Sequence, residues 1–222
     1  MLSGLADFRK TERATKKQTQ RRFSKEIKFY EKNFNLACEI EDFYLNKYRK
    51  KPPPNKVTPL VMMYPRLLLT AKAIVDLNLN GNYYDASILW RTFFENLGLC
   101  TYLARNETQI GDWIEGKRIA VSCNKLFHEL NSFLVSNPTK ELASRTNEIY
   151  GIASSYVHSG FKTIYHSFLL MRKNKSAIWI STRPIYRSKE FGKATFESTL
   201  LLNLVSTKLL EDELPRKFLT RL

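Results

Sequence analysis

Arg91 and Glu95 stand one helical turn apart in the stretch Asn82–Ala104, NYYDASILWRTFFENLGLCTYLA. Further along, Tyr150, Ser154 and His158 recur at four-residue steps, with Asn147 on the same side. Four-residue spacing lines up each set along one face of a helix. Together the two sets supply a guanidinium, a carboxylate, hydroxyls and an imidazole. Cleavage of RNA by its own 2′-hydroxyl needs a base for that proton, an acid for the leaving oxygen and a cation for the phosphorane. His158 and Glu95 can serve as base and acid, with Arg91 on the phosphate. Tyr150, Ser154 and Asn147 would then orient the ring or the substrate. His158 lies near a helix end among Ser154, Ser155, Ser159 and Gly160, where the negative pole of a helix favours imidazolium. The same residues equally compose a structural network, in which a buried Arg91–Glu95 ion pair bonded to Tyr150 and His158 fixes helix register.

The elements that must position these groups read as helices. In Asn82–Ala104, Ala86, Leu89, Trp90, Phe93, Leu97, Cys100 and Ala104 share one face, and Tyr84, Ile88, Leu99 and Tyr102 flank Arg91 and Glu95 on the other. A helix apolar on nearly every side is expected to be buried all round, which places the two charges inside. Asn82 is expected to cap it, with Asp85 completing a weak capping box. Before it, Pro59–Leu77 reads as a helix that Pro65 kinks or delays, and the short turn Asn78–Gly81 makes the two antiparallel neighbours. After it, one helix is expected from Ile110 to Phe133 and another from Pro138 to His158, where Gly151 would let a neighbouring helix come close. An earlier helix runs from about Arg21 to the KPPP stretch, and the first twenty residues carry no decisive pattern. Ala177–Tyr186 is β-like in composition, and Lys189–Leu214 reads as the last helix. The fold class expected is all-α, a bundle of five or six helices with a short β-like excursion near 177–186. Residues 1–56 form a basic N-terminal arm and helix, and residues 57–222 the bundle domain.

Charge sets the class of partner. The chain carries a formal net charge of +15 over 222 residues. Nine basic residues fall between Arg9 and Lys28, including Lys16, Lys17, Arg21 and Arg22, against Glu12 and Glu26. Seven more fall between Arg172 and Lys193, including Arg172, Lys173, Arg183 and Arg187, against Glu190. Concentrated charge of this kind points to a polyanion, RNA ahead of DNA, with a protein partner or second copy of the chain as the other class. Three cysteines cannot all pair, so reduced thiols and a cytoplasmic setting are expected. No secretory signal is visible, and the longest apolar run is broken by Arg66, Lys72 and Asp76, so no membrane span is expected. The P-loop, GxGxxG, HExxH, CxxC and GxSxG patterns are absent, and His128 and His166 stand alone. No metal or cofactor is expected.

The pattern Ala86-x-x-Leu89-x-Arg91-x-x-x-Glu95 followed by Tyr150-x-x-x-Ser154-x-x-x-His158 resembles a family of uncharacterised bacterial helical proteins. The similarity spans roughly Pro59 to Leu214 and leaves out the basic N-terminal segment. More remotely, the layout resembles the HEPN (higher eukaryotes and prokaryotes nucleotide-binding) domains. That resemblance implies a helical bundle, often dimeric, and in many members a metal-independent RNase of toxin or antiviral systems. Two classes of function follow: a HEPN-like RNA-binding protein or endoribonuclease toxin, and a non-catalytic adaptor or antitoxin-like module.

Overall fold

The helical periods resolve into helices throughout the computed structural model, which describes residues 2–134, Ser144, Tyr150, Gly151, Ser154, 196–210, Asp212 and 214–221. Among these residues there are eight α-helices and no strand: α1 (Leu2–Arg22), α2 (Ser24–Lys47), α3 (Thr58–Asn80), α4 (Tyr83–Arg105), α5 (Ile110–Ile114), α6 (Cys123–Leu134), α7 (Ser198–Leu209) and α8 (Arg216–Leu219). The β-like stretch 177–186 lies outside the described residues. No described helix is long and apolar enough to cross a membrane.

α3 and α4 form the antiparallel hairpin on which the rest packs. Gly81 ends α3 at φ 87°, a left-handed conformation that glycine adopts without a Cβ penalty, and its N–H bonds back to the carbonyl of Asn78. The Asn82 N–H reaches the carbonyl of Leu77 at 2.8 Å, completing the reversal. Asn82 precedes α4 as expected, but its side chain makes no capping bond, so the predicted capping box does not form. Pro65 sits within α3 and forfeits one ladder hydrogen bond, yet the helix runs unbroken from Thr58 to Asn80.

The main core draws one stripe from each long helix. Leu36, Ile40 and Tyr44 of α2 meet Tyr64, Leu67 and Ile74 of α3, while Trp90, Phe93, Phe94 and Leu97 come from α4. Phe127 and Leu130 of α6 and Leu202 and Val205 of α7 close it. Trp90 stacks on Phe94 with ring centroids 4.3 Å apart. Deep in this core Asn203 donates to the carbonyl of Asn33 at 2.9 Å, pairing α7 with α2.

The expected helix Ile110–Phe133 is in fact two helices. Gly116 adopts φ 76° after α5, and the Lys117 N–H closes back on the carbonyl of Asp112 at 2.9 Å. α6 then begins afresh with Ser122 as its cap, the hydroxyl accepting from the Lys125 N–H at 3.2 Å. The N-terminal twenty residues, undecided by pattern, form α1. Among its described side chains Glu12, Thr15 and Thr19 are the covered ones, and it joins α2 through Phe23 alone. Phe23 is buried with Tyr30, Val75 and Phe196 in a satellite aromatic cluster.

Candidate functional site

α4 presents Arg91 and Glu95 on the side that faces away from Trp90 and Phe93. The side chains are 16% and 24% exposed, so the pair stands at the rim of the core and not inside it as the apolar pattern implied. The reason is local: Ile88, Thr92, Asn96 and Leu99 on that side of α4 are themselves only partly covered. Arg91 Nε donates to Glu95 Oε1 at 2.7 Å. An intrahelical pair in this order, cation before carboxylate, is the less favourable orientation and contributes on the order of 0.3 kcal/mol by itself. Its importance lies in what it touches.

The Tyr150 hydroxyl donates to the same Glu95 Oε1 at 3.3 Å. Its ring stacks on Phe127 of α6 with centroids 4.2 Å apart and meets the Phe94 ring edge-on at 6.3 Å. Ser154, one helical turn on, lies near enough to the phenol to favour its ionised form slightly against burial. On the other side Cys123, at the start of α6, lies near the Arg91 guanidinium. The hydrogen-bonded chain Arg91–Glu95–Tyr150 is thus flanked by Cys123 and Ser154, and through the Tyr150–Phe127 stack it ties α4 to α6. The bond to Glu95 raises the guanidinium's already high pKa, which fixes Arg91 as a permanent cation. Burial, then the Glu95 charge, pushes the Tyr150 phenol up, so it stays protonated and donating.

Of the predicted site residues, Arg91, Glu95, Tyr150 and Ser154 come together. His158 and Asn147 lie outside the described residues, as do Arg172, Lys173, Arg183 and Arg187. Cys123 is a member that pattern reading missed. The signal was present in Ser122, which marks a helix start and places Cys123 in the first turn. Gly151 does not provide the close approach expected of it, since a Cβ there meets nothing within 4 Å. That approach occurs at Gly98, where an added Cβ would land on the carbonyl oxygen of Leu126 in α6. Among the described residues no group of three or more His, Cys, Asp or Glu side chains is placed to hold a metal ion.

A second feature lies on α1. Arg9, Lys10, Arg13, Lys16, Lys17 and Arg21 are exposed. At about 100° per residue they fall within an arc of roughly 140° opposite Glu12, Thr15 and Thr19. No acidic residue shares that arc. The predicted basic segment is therefore a one-sided cationic helix face.

Residues 57–134 match a family of unknown function, DUF5677. The matched span covers α3 to α6, and with them Arg91, Glu95, Gly98 and Cys123 but not α1 or α2. No curated protein and no solved structure matches the chain.

Proposed function

We propose that this is a helical RNA-binding protein that grips the phosphate backbone with the exposed face of α1. The observation carrying this reading is the clustering of six cations on one face of a helix, in a chain of net charge +15. Each phosphate contact releases condensed counterions, so affinity must fall steeply with salt, with a log–log slope of about −0.7 per contact on single strands. The resemblance to HEPN domains favours RNA over DNA. The test is fluorescence anisotropy with labelled RNA across a salt series. Wild type is expected to bind with a slope of about −3 to −4. Lys16→Glu/Lys17→Glu/Arg21→Glu should weaken binding at least about 100-fold and flatten the slope by about 2. RNA binding that is absent, or indifferent to salt, would end this reading.

A second reading, metal-independent RNA cleavage, draws on the partial exposure of Arg91 and Glu95. Both side chains keep an edge to solvent, which leaves the guanidinium within reach of a phosphate. In that reading Arg91 steadies the phosphate, Glu95 and His158 exchange protons and Tyr150 holds the carboxylate. Cleavage of RNA in excess EDTA, lost in His158→Ala and Glu95→Gln proteins that still bind RNA, would support it. Growth inhibition on expression would then place the protein among toxins. Equal cleavage by all three proteins would leave the Arg91–Glu95–Tyr150 chain as the device that registers α4 against α6.

A further inference from the structure

α2 carries a basic stripe of its own. Lys25, Lys28, Lys32 and Lys47 are all exposed. At about 100° per residue they fall within an arc of roughly 100°, with Lys25, Lys28 and Lys32 clustered at the start of the helix; between Lys32 and Lys47 the same arc holds buried Leu36 and Phe43, which packs on Phe218 of α8. The stretch from Lys25 to Glu39 extends about 21 Å. The carboxylate of Glu39 falls within that arc, two turns beyond Lys32, and would repel a polyanion lying there. Arg221, from the far end of the chain, covers it: both guanidinium Nη atoms donate to the two Glu39 oxygens, one at 2.9 Å. Lys217 adds its field to the same carboxylate. The C-terminal segment thereby cancels the one negative charge in the stripe.

Phe29 adds a second kind of contact. It is 43% exposed, although most aromatic side chains among the described residues are buried, and it stands at the edge of the lysine arc, one turn after Lys25 and one turn before Lys32. An exposed ring flanked by lysines can stack a nucleobase while its neighbours hold the flanking phosphates. A bilayer-seated helix would need a continuous apolar face opposite its lysines, and here the opposite face of α2 is spent on the core.

We propose that the stretch of α2 from Lys25 to Glu39 is a site for single-stranded RNA, with Phe29 as its stacking platform and the Arg221–Glu39 pair as the charge mask at its far end. This rests on the RNA-binding reading and adds to it the strandedness and a role for the C-terminal segment.

The experiment measures the affinity of oligouridines of 6, 12 and 24 nucleotides, with duplex RNA and phosphatidylserine vesicles in parallel, for wild type and exposed-surface variants. Expected are tighter binding to the oligouridines than to the duplex, and a loss of about tenfold in Phe29→Ala. Arg221→Ala should weaken binding several-fold by baring Glu39. Glu39→Gln/Arg221→Ala should return to wild-type affinity, because neither charge then remains. If Arg221 contacted phosphate itself, the double variant would stay weak, and the masking role would be overturned. Unchanged binding in Phe29→Ala, or tighter binding to the duplex, would overturn the single-strand site. Losses confined to the vesicles would reassign the stripe to an anionic membrane surface. Binding that depends on Lys16, Lys17 and Arg21 but on none of these α2 positions would sink this inference and leave the RNA-binding reading standing, whereas no RNA binding by wild type would remove both.

Discussion

Glu95 Oε1 accepts from Arg91 Nε and from the Tyr150 hydroxyl at once, so each donor's bond depends on a carboxylate that the other helps to hold. Tyr150→Phe keeps the stack on Phe127 and removes only the donor. A bond to a charged, partly solvated acceptor at 3.3 Å is expected to contribute about 1 kcal/mol, or about 2–4 °C in Tm for a chain of this size. In a Glu95→Gln background the same substitution should cost much less. A double-mutant cycle by urea denaturation measures the difference, and strictly additive losses would show that the bond is not made. Much of this group could be read from residue types alone, since Arg91, Glu95, Tyr150 and Ser154 were all singled out by spacing. The depth of the pair could not. Periodicity says which residues share a face of α4, while the degree of cover depends on which helix arrives there, and that is α6 with Phe127 and Cys123.

Gly98 decides how closely α6 can approach α4. Mid-helix Gly→Ala ordinarily stabilises by up to about 1 kcal/mol through backbone entropy and helix propensity. At Gly98 the new methyl would strike the Leu126 backbone, which cannot rotate away, and overpacking of this kind costs about 1–3 kcal/mol. Gly98→Ala is therefore expected to be net destabilising, and Gly151→Ala, in open space, neutral or stabilising. Chemical denaturation of the two variants beside wild type checks the sign of each, and a stabilised Gly98→Ala would mean that the helices do not touch there. Helix identity was largely legible: the apolar steps located α2, α3 and α4 to within a few residues. The break between α5 and α6 was not, because Ile110, Trp113 and Ile114 and then Leu126 and Leu130 keep a helical period across the gap. Only Gly116 and Ser122 betray the interruption, and both are punctuation marks easily overrun by an apolar count. α1 was illegible for the opposite reason. The covered side chains described on it are Glu12, Thr15 and Thr19, which leave no apolar trace.

Across the whole molecule, the Arg221–Glu39 pair joins positions 182 residues apart and pins α8 to α2. Phe218 against Phe43, centroids 5.8 Å apart, supports the same junction. The hydrogen bond from Arg221 holds the Glu39 carboxyl below its usual range. An acid whose pKa is depressed by folding contributes stability that is complete above the ordinary carboxylate value of about 4.3 and is lost as pH falls through the lower folded value. The C-terminal segment is thus expected to loosen below about pH 4 while the core persists. Hydrogen exchange of residues 214–221 across pH 3–7, corrected for intrinsic rates, measures this. In Arg221→Ala that step should vanish, and an unchanged step would mean another group controls it. Burial of Phe23 has a further consequence, which concerns time. Its pocket includes Phe196, and the bond that seats α2 in the core needs Asn203, 170 residues beyond Asn33. At about 5–20 residues per second, roughly 10–35 s separate the synthesis of Phe23 from that of Phe196. Through that interval the junction between α1 and α2 lacks one wall of its pocket. It is made well before it can be closed.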